Sequence, residues 1–473
     1  MVFSNLIFIY VFLPLCLVFY YSVKSAKLRN LVLALFSLAF YAWGEPVWVL
    51  LLIFSAAVDY FNGLFIEKCR VRKKGNPVLG VVFSLVVNLG ILFVFKYSAF
   101  FIHQINLLTG LSLREPTFSL PIGISFYTFQ TISYTVDVYR GKVKAQHSFL
   151  SFLLYVSMFF QLVAGPIVRY ESVAAEIDER RTTAEDFNSG LIRFICGLGK
   201  KVIIANTVGQ LAANSLAFEK APTSVAAAWF GVAMFALQIY FDFSGYSDMA
   251  IGLGKMFGFH FPENFNYPYI SRSATEFWRR WHISLGSFFR DYVYIPLGGN
   301  RKHLILNLAI VWFLTGLWHG ASWNFIIWGM GFGVLIILEK LFMLKVLDKL
   351  PKFFSHIYAL FFILIGWAVF YFTDLGQLGS CLGAMFGTGG IPLYDEVTKS
   401  ALMSNLYLII AAAVLSMPIS RLLDEEVRHI ERKSGVTFAV SSVIRTVLCI
   451  ALLAVSSVML VGQTYNPFLY FRF

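Results

Sequence analysis

Long apolar runs alternate with short polar breaks along the whole of the 473-residue chain. Some of these runs reach the roughly 20 residues that an α-helix needs to cross a bilayer, whereas others are shorter. The pattern therefore predicts an all-α integral membrane protein with about eleven full crossings, together with re-entrant and interfacial helices. The apolar runs lie near residues 3–21, 30–43, 47–66, 78–101, 119–138, 149–165, 190–206, 225–251, 304–318, 321–340, 354–372, 401–419 and 438–461.

The first run, residues 3–21, predicts a retained membrane helix rather than a cleaved signal peptide. No basic residue precedes it, and no small-residue cleavage site follows it. The chain contains no linker of soluble-domain length and no fixed-period repeat. We therefore expect residues 1–473 to form a single multi-pass membrane domain.

Composition supports this class, because 58% of the residues are hydrophobic and only 14% are charged, against about 25% charged in soluble proteins. The mean hydropathy is +0.71. The net charge of +12 reflects basic residues in short loops such as "KSAKLR" (24–29) and "KCRVRKK" (68–74). Such loops favour the cytoplasmic side of a membrane and contact anionic lipid. We therefore infer a lipid bilayer, and no nucleic acid, as partner, and we place the N-terminus outside.

Metal-binding patterns are weak in this sequence. The five cysteines form no C-x-x-C pair, so we predict neither a disulfide framework nor a cysteine-based metal site. The stretch "QIYFDFSGYSDM" (238–249) places Asp242 and Asp248 in an apolar run, where a carboxylate needs a partner such as an arginine or several backbone donors. No third metal ligand is apparent, so we interpret Asp242 as a structural or cavity-lining residue.

A charged segment, "EFWRRWHISLGSFFRDYVYIPLGGN" (276–300), interrupts the apolar chain. Its arginines and its aspartate would cost about 12 kcal/mol at the bilayer centre, against about 3 to 4 kcal/mol returned by its large apolar residues. We therefore exclude a lipid-facing span and predict an amphipathic helix at the membrane interface. In helical projection, His282 lies at the border between an apolar sector with Phe277, Trp278, Trp281, Leu285, Phe288 and Phe289 and a polar sector with Arg279, Arg280, Ser287, Arg290 and Asp291.

A second histidine, His319, lies within the apolar run "LAIVWFLTGLWHGASWNFIIWGMGFG" (308–333). An ionisable group at membrane depth is a candidate for function, and an imidazole there can take a proton from a hydroxyl nucleophile. The alternative is a structural histidine that bonds two helices together. Helical spacing places His319 on one face with Trp312, Thr315, Ser322 and Trp323, while Gly316 and Gly320 permit another helix to approach closely.

Three stretches carry a resemblance to a known family: residues 241–300, which include "WRRWHISLG"; "LTGLWHGASWNFIIWG" (314–329); and the ending "NPFLYFRF" (466–473). They resemble the membrane-bound O-acyltransferase (MBOAT) family, in particular its alginate O-acetyltransferase branch. The resemblance is densest over the core motif region 238–330, and the hydrophobic profile extends it over the whole chain.

The resemblance implies a ring of tilted helices around a central funnel and an acyl relay across the membrane. It implies that His282 and His319 are the catalytic pair, with His319 as general base and His282 orienting the donor or assisting proton transfer. An acyl-histidine intermediate is a second route. The substrate-binding candidates are then Arg279, Arg280 and Arg290, for the phosphates of the donor, together with Trp312, Thr315, Trp323 and Asp242.

The resemblance also implies the substrates and partners of an O-acetyltransferase. Acetyl-CoA is the expected donor, no cofactor is expected to stay bound, and the acceptor is an exported polysaccharide such as alginate. We expect an extracytoplasmic acyltransferase of the SGNH type as partner and a location in the bacterial inner membrane. Two alternatives stay open: a teichoic acid D-alanyl transferase, which shares the paired histidines, and a transporter or polysaccharide channel, which the buried polar residues suggest.

Overall fold

The computed structural model consists of α-helices joined by turns, and the described ranges contain no β-strand. The all-α prediction is therefore confirmed. Structure is described for residues 2–162, 165–216, 222–419, 422, 425–427, 435–462 and 469. The C-terminal motif "NPFLYFRF" lies outside these residues, except for Leu469.

Six helices in the described part of the chain are long and apolar enough to cross a membrane. A seventh candidate is a pair of helices, 396–404 and 406–415, that are bent by 64° at their junction. The multi-pass membrane class is thus confirmed, whereas the total of about eleven crossings stays a prediction. The six helices are Trp48–Arg72, Val78–Thr109, Val225–Met256, Trp323–Leu347, Lys352–Tyr371 and Phe438–Gly462.

The chain divides into two compact units, of which the first comprises residues 1–194 and 247–263. One of its helices, α5, is buried along nearly its whole length although it carries many hydroxyl and amide side chains. The helices of this unit are α1 (Phe8–Ser22), α2 (Ala26–Gly44), α3 (Trp48–Arg72), α4 (Val78–Thr109), α5 (Ile124–Arg140), α6 (Phe149–Ser157), α7 (Phe159–Leu162), α8 (Tyr170–Asp178) and most of α9 (Ala184–Gly199).

The apolar run 149–165 forms two short helices rather than one crossing. α6 has 9 residues and α7 has 4, and the chain breaks between them at Met158. Neither helix is long enough to span a bilayer, while the side chains of both are largely buried. A broken, buried segment of this kind is what a re-entrant path requires, and that path stays a prediction.

The second unit comprises residues 195–246 and 264–473. Its helices α14 and α15 form a hairpin in which Gly316 faces Gly329: a Cβ at Gly329 would lie 2.5 Å from the carbonyl oxygen of Trp312. The predicted close approach at Gly316 is therefore confirmed. The helices of this unit are α10 (Asn206–Leu216), most of α11 (Val225–Met256), α12 (Ala274–Arg280), α13 (Ile283–Phe289), α14 (Leu304–His319), α15 (Trp323–Leu347), α16 (Lys352–Tyr371), α17 (Leu375–Met385), α18 (Glu396–Ser404), α19 (Leu406–Leu415) and α20 (Gly435–Gly462).

The amphipathic helix predicted around residues 277–291 is not continuous. α12 ends at Arg280 and α13 begins at Ile283, so the prediction of one helix is wrong. The two predicted faces are nevertheless present, because the large apolar side chains point into the protein and Arg279 and Arg290 are exposed.

The helix that contains His319 ends at that residue. Gly320 is extended, with φ −175° and ψ 157°, and the next helix begins at Trp323. The ring of Phe325 occupies the place that a side chain at Gly320 would need, so the turn is tightly packed. The prediction that Ser322 and Trp323 share a helical face with His319 is therefore wrong.

Candidate active site

His282 lies in the break between α12 and α13 and has a left-handed backbone, with φ 44° and ψ 54°. This conformation costs a residue with a Cβ about 1–2 kcal/mol, so neighbouring groups must hold it. Asn266 N–H donates to the carbonyl of Arg280, and Ile283 N–H donates to the carbonyl of Asn264, both at 2.9 Å. The loop that contains Asn264 and Asn266 thus holds the backbone on both sides of the break. The side chain of His282 lies inside the protein, where it is 2% exposed.

The hydrogen bonds of Asn264 determine which nitrogen of His282 carries the proton. The backbone N–H and the hydroxyl of Ser284 both donate to Asn264 Oδ1, at 3.3 and 2.8 Å, which identifies that atom as an acceptor. His282 Nδ1 lies 3.1 Å from the same oxygen, so Nδ1 is the donor. Nε2 is then the basic nitrogen of the ring.

Burial also fixes the charge of His282. It lowers the pKa of the imidazole from 6.5 to about 3, because removal from water disfavours the charged form. The ring is therefore neutral at pH 7. In that state it can accept a proton at Nε2 or orient a polar group, but it does not act as a fixed cation.

His319 is the last residue of α14 and is 5% exposed. Its ring packs edge-on against the rings of Trp318, Trp328 and Phe370, with centroid separations of 4.9, 4.9 and 5.3 Å. Such an enclosure excludes water, and so keeps a competing nucleophile away from a reactive ester or thioester.

Trp318 brings the two histidines together. Its ring centroid lies 6.0 Å from that of His282 and 4.9 Å from that of His319. Phe243 packs edge-on against His282, with a centroid separation of 4.7 Å. The two histidines therefore share one aromatic environment, although one lies in the break between α12 and α13 and the other ends α14.

A cluster of tryptophans extends this environment. Trp278 of α12 contacts the rings of Trp312 and Trp328, at centroid separations of 5.1 and 5.3 Å. Trp281 contacts Trp367 at 4.9 Å. Aromatic pairs of this kind contribute about 0.5–1.5 kcal/mol each beyond their burial. The cluster packs the segment before His282 against α14, α15 and α16, and so helps to hold both histidines in place.

A cavity of about 150 Å³ lies beside His282. Most of its wall is apolar, whereas Arg290, whose side chain is 63% exposed, stands at its solvent-facing edge. The apolar wall and the cation at its edge suit a mainly apolar ligand with a negative group outside. The lining residues are Trp278, Trp281, His282, Leu285, Gly286, Phe289, Arg290, Tyr294, Leu308, Val311, Trp312 and Thr315.

The three arginines proposed for substrate binding have different environments. Arg290 lines the cavity and pairs with Asp291 at 2.7 Å. Arg280 pairs with Glu276 at 2.9 Å and donates to the carbonyl of Asn266 at 3.1 Å, so it fastens α12 to the loop. Arg279 is exposed. Arg290 is thus the arginine whose position fits contact with a ligand in the cavity, where it is joined by two other predicted residues, Trp312 and Thr315.

Two other predicted residues do not line this cavity. Trp323 begins α15 and is 47% exposed. Asp242 is buried, forms an ion pair with Lys201 at 2.6 Å and accepts the backbone N–H of Leu469 at 3.0 Å. The buried carboxylate therefore has the charged partner that the sequence predicted, although this partner is a lysine rather than an arginine. These contacts indicate a structural role for Asp242.

Sequence reasoning missed Asn264, Glu339 and Lys340. Asn264 lies in the loop "PENFNYP" (262–268), and the only sign of its importance was a polar residue within the stretch that resembles the family. Glu339 and Lys340 follow one another at the end of the apolar run 321–340, where charged residues are usual at the end of a span.

Glu339 and Lys340 form part of a π-helical turn in α15, a feature that is frequent at functional sites. Glu339 is 1% exposed and accepts the backbone N–H groups of Ala274 and Thr275, both at 2.7 Å. The carboxylate thus satisfies the first donors of α12. Lys340 Nζ lies 5.6 Å from the ring centroid of Tyr294, a residue of the cavity wall. The turn therefore supplies an anchor for α12 and a cation beside the cavity.

Comparison with known proteins relates this site to a family. A sequence model of the membrane-bound O-acyltransferase family, MBOAT, matches residues 6–381. The "Probable alginate O-acetylase AlgI" of Azotobacter vinelandii is 37% identical over the full length of both chains. The "Peptidoglycan O-acetyltransferase" of Helicobacter pylori is 34% identical over 83% of this chain and 81% of that protein. The "Teichoic acid D-alanyltransferase" of Bacillus subtilis is 30% identical over 47% of this chain and 59% of that protein.

Proposed function

Because this chain belongs to the membrane-bound O-acyltransferase family and is an O-acyltransferase, we propose that it acetylates an exported polysaccharide such as alginate. The donor is acetyl-CoA on the cytoplasmic side, and the acetyl group is relayed across the membrane. The observation that carries this proposal is a pair of buried histidines that both contact Trp318, one of which, His282, lines a cavity with a cationic edge.

The cavity is proposed to receive the donor. Its apolar wall suits the slender arm that carries the thioester, and its wall includes His282. Arg290 at the edge and Lys340 beside Tyr294 supply positive charge for the phosphates of the donor. In this arrangement the thioester enters between the tryptophans, where water is excluded.

His319 is proposed to act as general base. It removes the proton of the acceptor hydroxyl while the hydroxyl oxygen attacks the carbonyl carbon of the thioester. A C–O bond forms, the C–S bond breaks, and the proton passes to the departing thiolate, which leaves as the thiol. His282, neutral and with its basic nitrogen fixed as Nε2, orients the donor or assists this proton transfer. A second route places the acetyl group on an imidazole before the hydroxyl takes it.

The proposed acceptor is inferred from the names of the relatives. Relatives that align with most of this chain are named for alginate or peptidoglycan O-acetylation. We propose that this chain hands the acetyl group to an extracytoplasmic acyltransferase of the SGNH type, which modifies the polysaccharide. The corresponding location is a bacterial inner membrane, with the basic loops 24–29 and 68–74 in the cytoplasm.

The test uses the purified chain in liposomes with acetyl-CoA labelled in the acetyl group. When the SGNH-type partner is present, we expect protein-dependent transfer of the label to a soluble oligosaccharide acceptor. Without the partner, we expect slow hydrolysis of acetyl-CoA. A carrier-bound D-alanyl thioester is offered in parallel.

Turnover of the D-alanyl thioester, with acetyl-CoA unused, would favour the D-alanyl transferase. This alternative is supported by the 30% identity to the Bacillus subtilis enzyme. Ion or glycan flux through the same liposomes, without any acyl product from either donor, would favour a transporter and contradict the proposed reaction.

A further inference from the structure

A group of buried polar side chains in the first unit takes no part in the proposed transfer. On each of three helices they recur at intervals of three or four residues, so each helix presents one polar stripe. Polar stripes at membrane depth are unusual and need a physical reason. This polar cluster consists of Ser55, Asp59 and Asn62 on α3, Ser84 and Asn88 on α4, and Thr128, Thr131 and Thr135 on α5, each at most 8% exposed.

Asp59 is the centre of the polar cluster. Its Oδ2 accepts a hydrogen bond from Asn88 Nδ2 at 2.6 Å, and the side chains of Asn62, Ser84 and Thr131 also lie within interaction distance of the carboxylate. The same amide group of Asn88 donates to the carbonyl of Ser84 at 2.9 Å. Hydroxyl and amide groups from three helices thus surround one carboxylate.

The charge of Asp59 has no counter-ion among the described residues. No lysine, arginine or histidine there acts on the carboxylate, and its Oδ1 has no hydrogen-bond partner in the same residues. Asp59 lies near the middle of α3, one of the helices long enough to cross a membrane. A carboxylate without a counter-ion at the bilayer centre costs about 3 kcal/mol, so a positive charge from solution is expected to bind here.

We propose that Asp59 anchors a binding site for one small monovalent cation, Na⁺ or a proton, in the polar cluster. Carboxylate and hydroxyl oxygens are the ligands that hard cations prefer. Ser55 lies one helical turn from Asp59, and its hydroxyl also lacks a hydrogen-bond partner among the described residues. Ser84 and Thr131 add further hydroxyl oxygens. A single carboxylate balances one positive charge, whereas a divalent ion would leave a net charge in an apolar setting.

The other titratable groups around α3 do not supply the positive charge that Asp59 needs. Tyr134 of α5 interacts electrostatically with Asp59, but its hydroxyl accepts the backbone N–H of Gln146 at 3.0 Å and carries no positive charge. Lys96 lies two turns along α4 from Asn88 and donates to the hydroxyl of Ser125 at 3.4 Å.

The remaining charged groups of the helices packed on α3 lie near helix ends. They are Lys27 and Arg29 at the start of α2, His103 near the end of α4, and Asp137 and Arg140 at the end of α5. α6 carries no charged side chain. The cation that compensates Asp59 therefore has to come from outside these helices.

The test measures thermal unfolding of the full chain in detergent micelles while Na⁺ replaces choline at constant ionic strength. We expect Na⁺ to raise the unfolding midpoint of the wild type in a saturable manner, because a ligand that binds only the folded state stabilises it. Asp59→Asn should abolish this response. Asp137→Asn is the matched control, since it removes a buried carboxylate of α5 that already pairs with Lys142 at 3.7 Å.

A bound proton gives a different result in the same assay. The midpoint of the wild type then falls as the pH rises in choline buffer, Na⁺ has no effect, and Asp59→Asn weakens this pH dependence, whereas Asp137→Asn does not. An Asp59→Asn protein that responds like the wild type in both series overturns the site.

If Asp59→Asn does not fold, milder variants keep the proposal testable. Thr131→Val and Ser84→Ala each remove one oxygen beside the carboxylate. They should shift the half-saturating Na⁺ concentration, or the proton concentration at half response, by about tenfold. No shift in either quantity overturns the proposal.

Discussion

At the scale of single residues, the left-handed backbone of His282 sets the direction of its imidazole. The break in the helix turns the ring inward, against Phe243 and Trp318. Asn264 adds a second constraint, because its Oδ1 accepts a hydrogen bond from Nδ1–H and so leaves Nε2 as the nitrogen that can accept a proton. The direction and the tautomer of the imidazole are thus fixed by a loop whose residues Asn264 and Asn266 do not line the cavity.

Removing the side chain of Asn264 tests this positioning. We expect Asn264→Ala to lower the turnover number for acetyl transfer about 100-fold, since small displacements of a catalytic group have effects of this size, while KM for acetyl-CoA changes little. The matched control is Asn266→Ala, because Asn266 bonds to Arg280 through its backbone alone. Equal losses of turnover in the two variants would contradict a specific role for the Asn264 side chain.

The cationic edge of the cavity makes a separate prediction. Arg290→Ala and Lys340→Ala should each raise KM for acetyl-CoA about five- to tenfold at low salt, with the turnover number nearly unchanged. The effect should shrink as salt screens the charges. Lys345→Ala, on the same helix as Lys340, is the control. A double variant with an unchanged KM would show that the phosphates bind elsewhere.

At the scale of helices, Glu339 anchors the start of α12, the helix that leads to His282. Glu339→Gln keeps one acceptor oxygen but loses the charge, so it should destabilise the protein by about 1–2 kcal/mol and also lower acetyl transfer. The thermal unfolding midpoint and the transfer rate measure the two effects. Glu396→Gln, at a side chain that is 76% exposed, should change neither. A stable and fully active Glu339→Gln protein would contradict the anchoring role.

His260 links α8 to α9 and gives a pH-dependent contact. Its hydrogen bond to Glu176, at 2.8 Å, raises the pKa of the imidazole above 6.5, against a smaller opposing effect of burial. Asp186 lies 3.5 Å from the other ring nitrogen. The stability from this contact is fully present below pH 6.5 and is lost as the pH rises through the raised pKa.

As the pH rises above 6.5, the wild-type unfolding midpoint should therefore decline more steeply than that of His260→Gln. The difference should be small, because the side chain of His260 is 51% exposed and water screens the charges. Identical pH profiles would rule out a contribution from this contact.

The helices themselves were largely predictable, whereas their ends near the site were not. The spacing of apolar residues predicts a helix near 321–340, and α15 begins at Trp323. A helical projection of residues 277–291 favours one continuous helix. The projection cannot show that the backbones of Asn264 and Asn266, which are distant in sequence, form hydrogen bonds with the backbone on either side of the break. Tertiary hydrogen bonds overrode the local periodicity there.

At the scale of the whole molecule, composition and the apolar runs are sufficient for the membrane class, because burial in lipid constrains every span in the same way. The two histidines were also singled out as candidates from sequence, by their positions and by the family resemblance, and their catalytic role stays a prediction. Their common contact with Trp318 was not predictable, since it depends on how α14 packs near the break at His282. Lys340 was missed for the same reason: its position beside the cavity follows from packing.

The central claim is that His319 performs acetyl transfer in a water-excluded site. The most direct measurement is the rate of label transfer from acetyl-CoA by His319→Ala in liposomes, beside the wild type and His103→Ala, a control at a side chain that is 53% exposed. Equal unfolding midpoints establish that all three proteins are folded. The rate of His319→Ala should fall at least about 100-fold, while the control keeps the wild-type rate. A folded His319→Ala protein with wild-type transfer would contradict the claim.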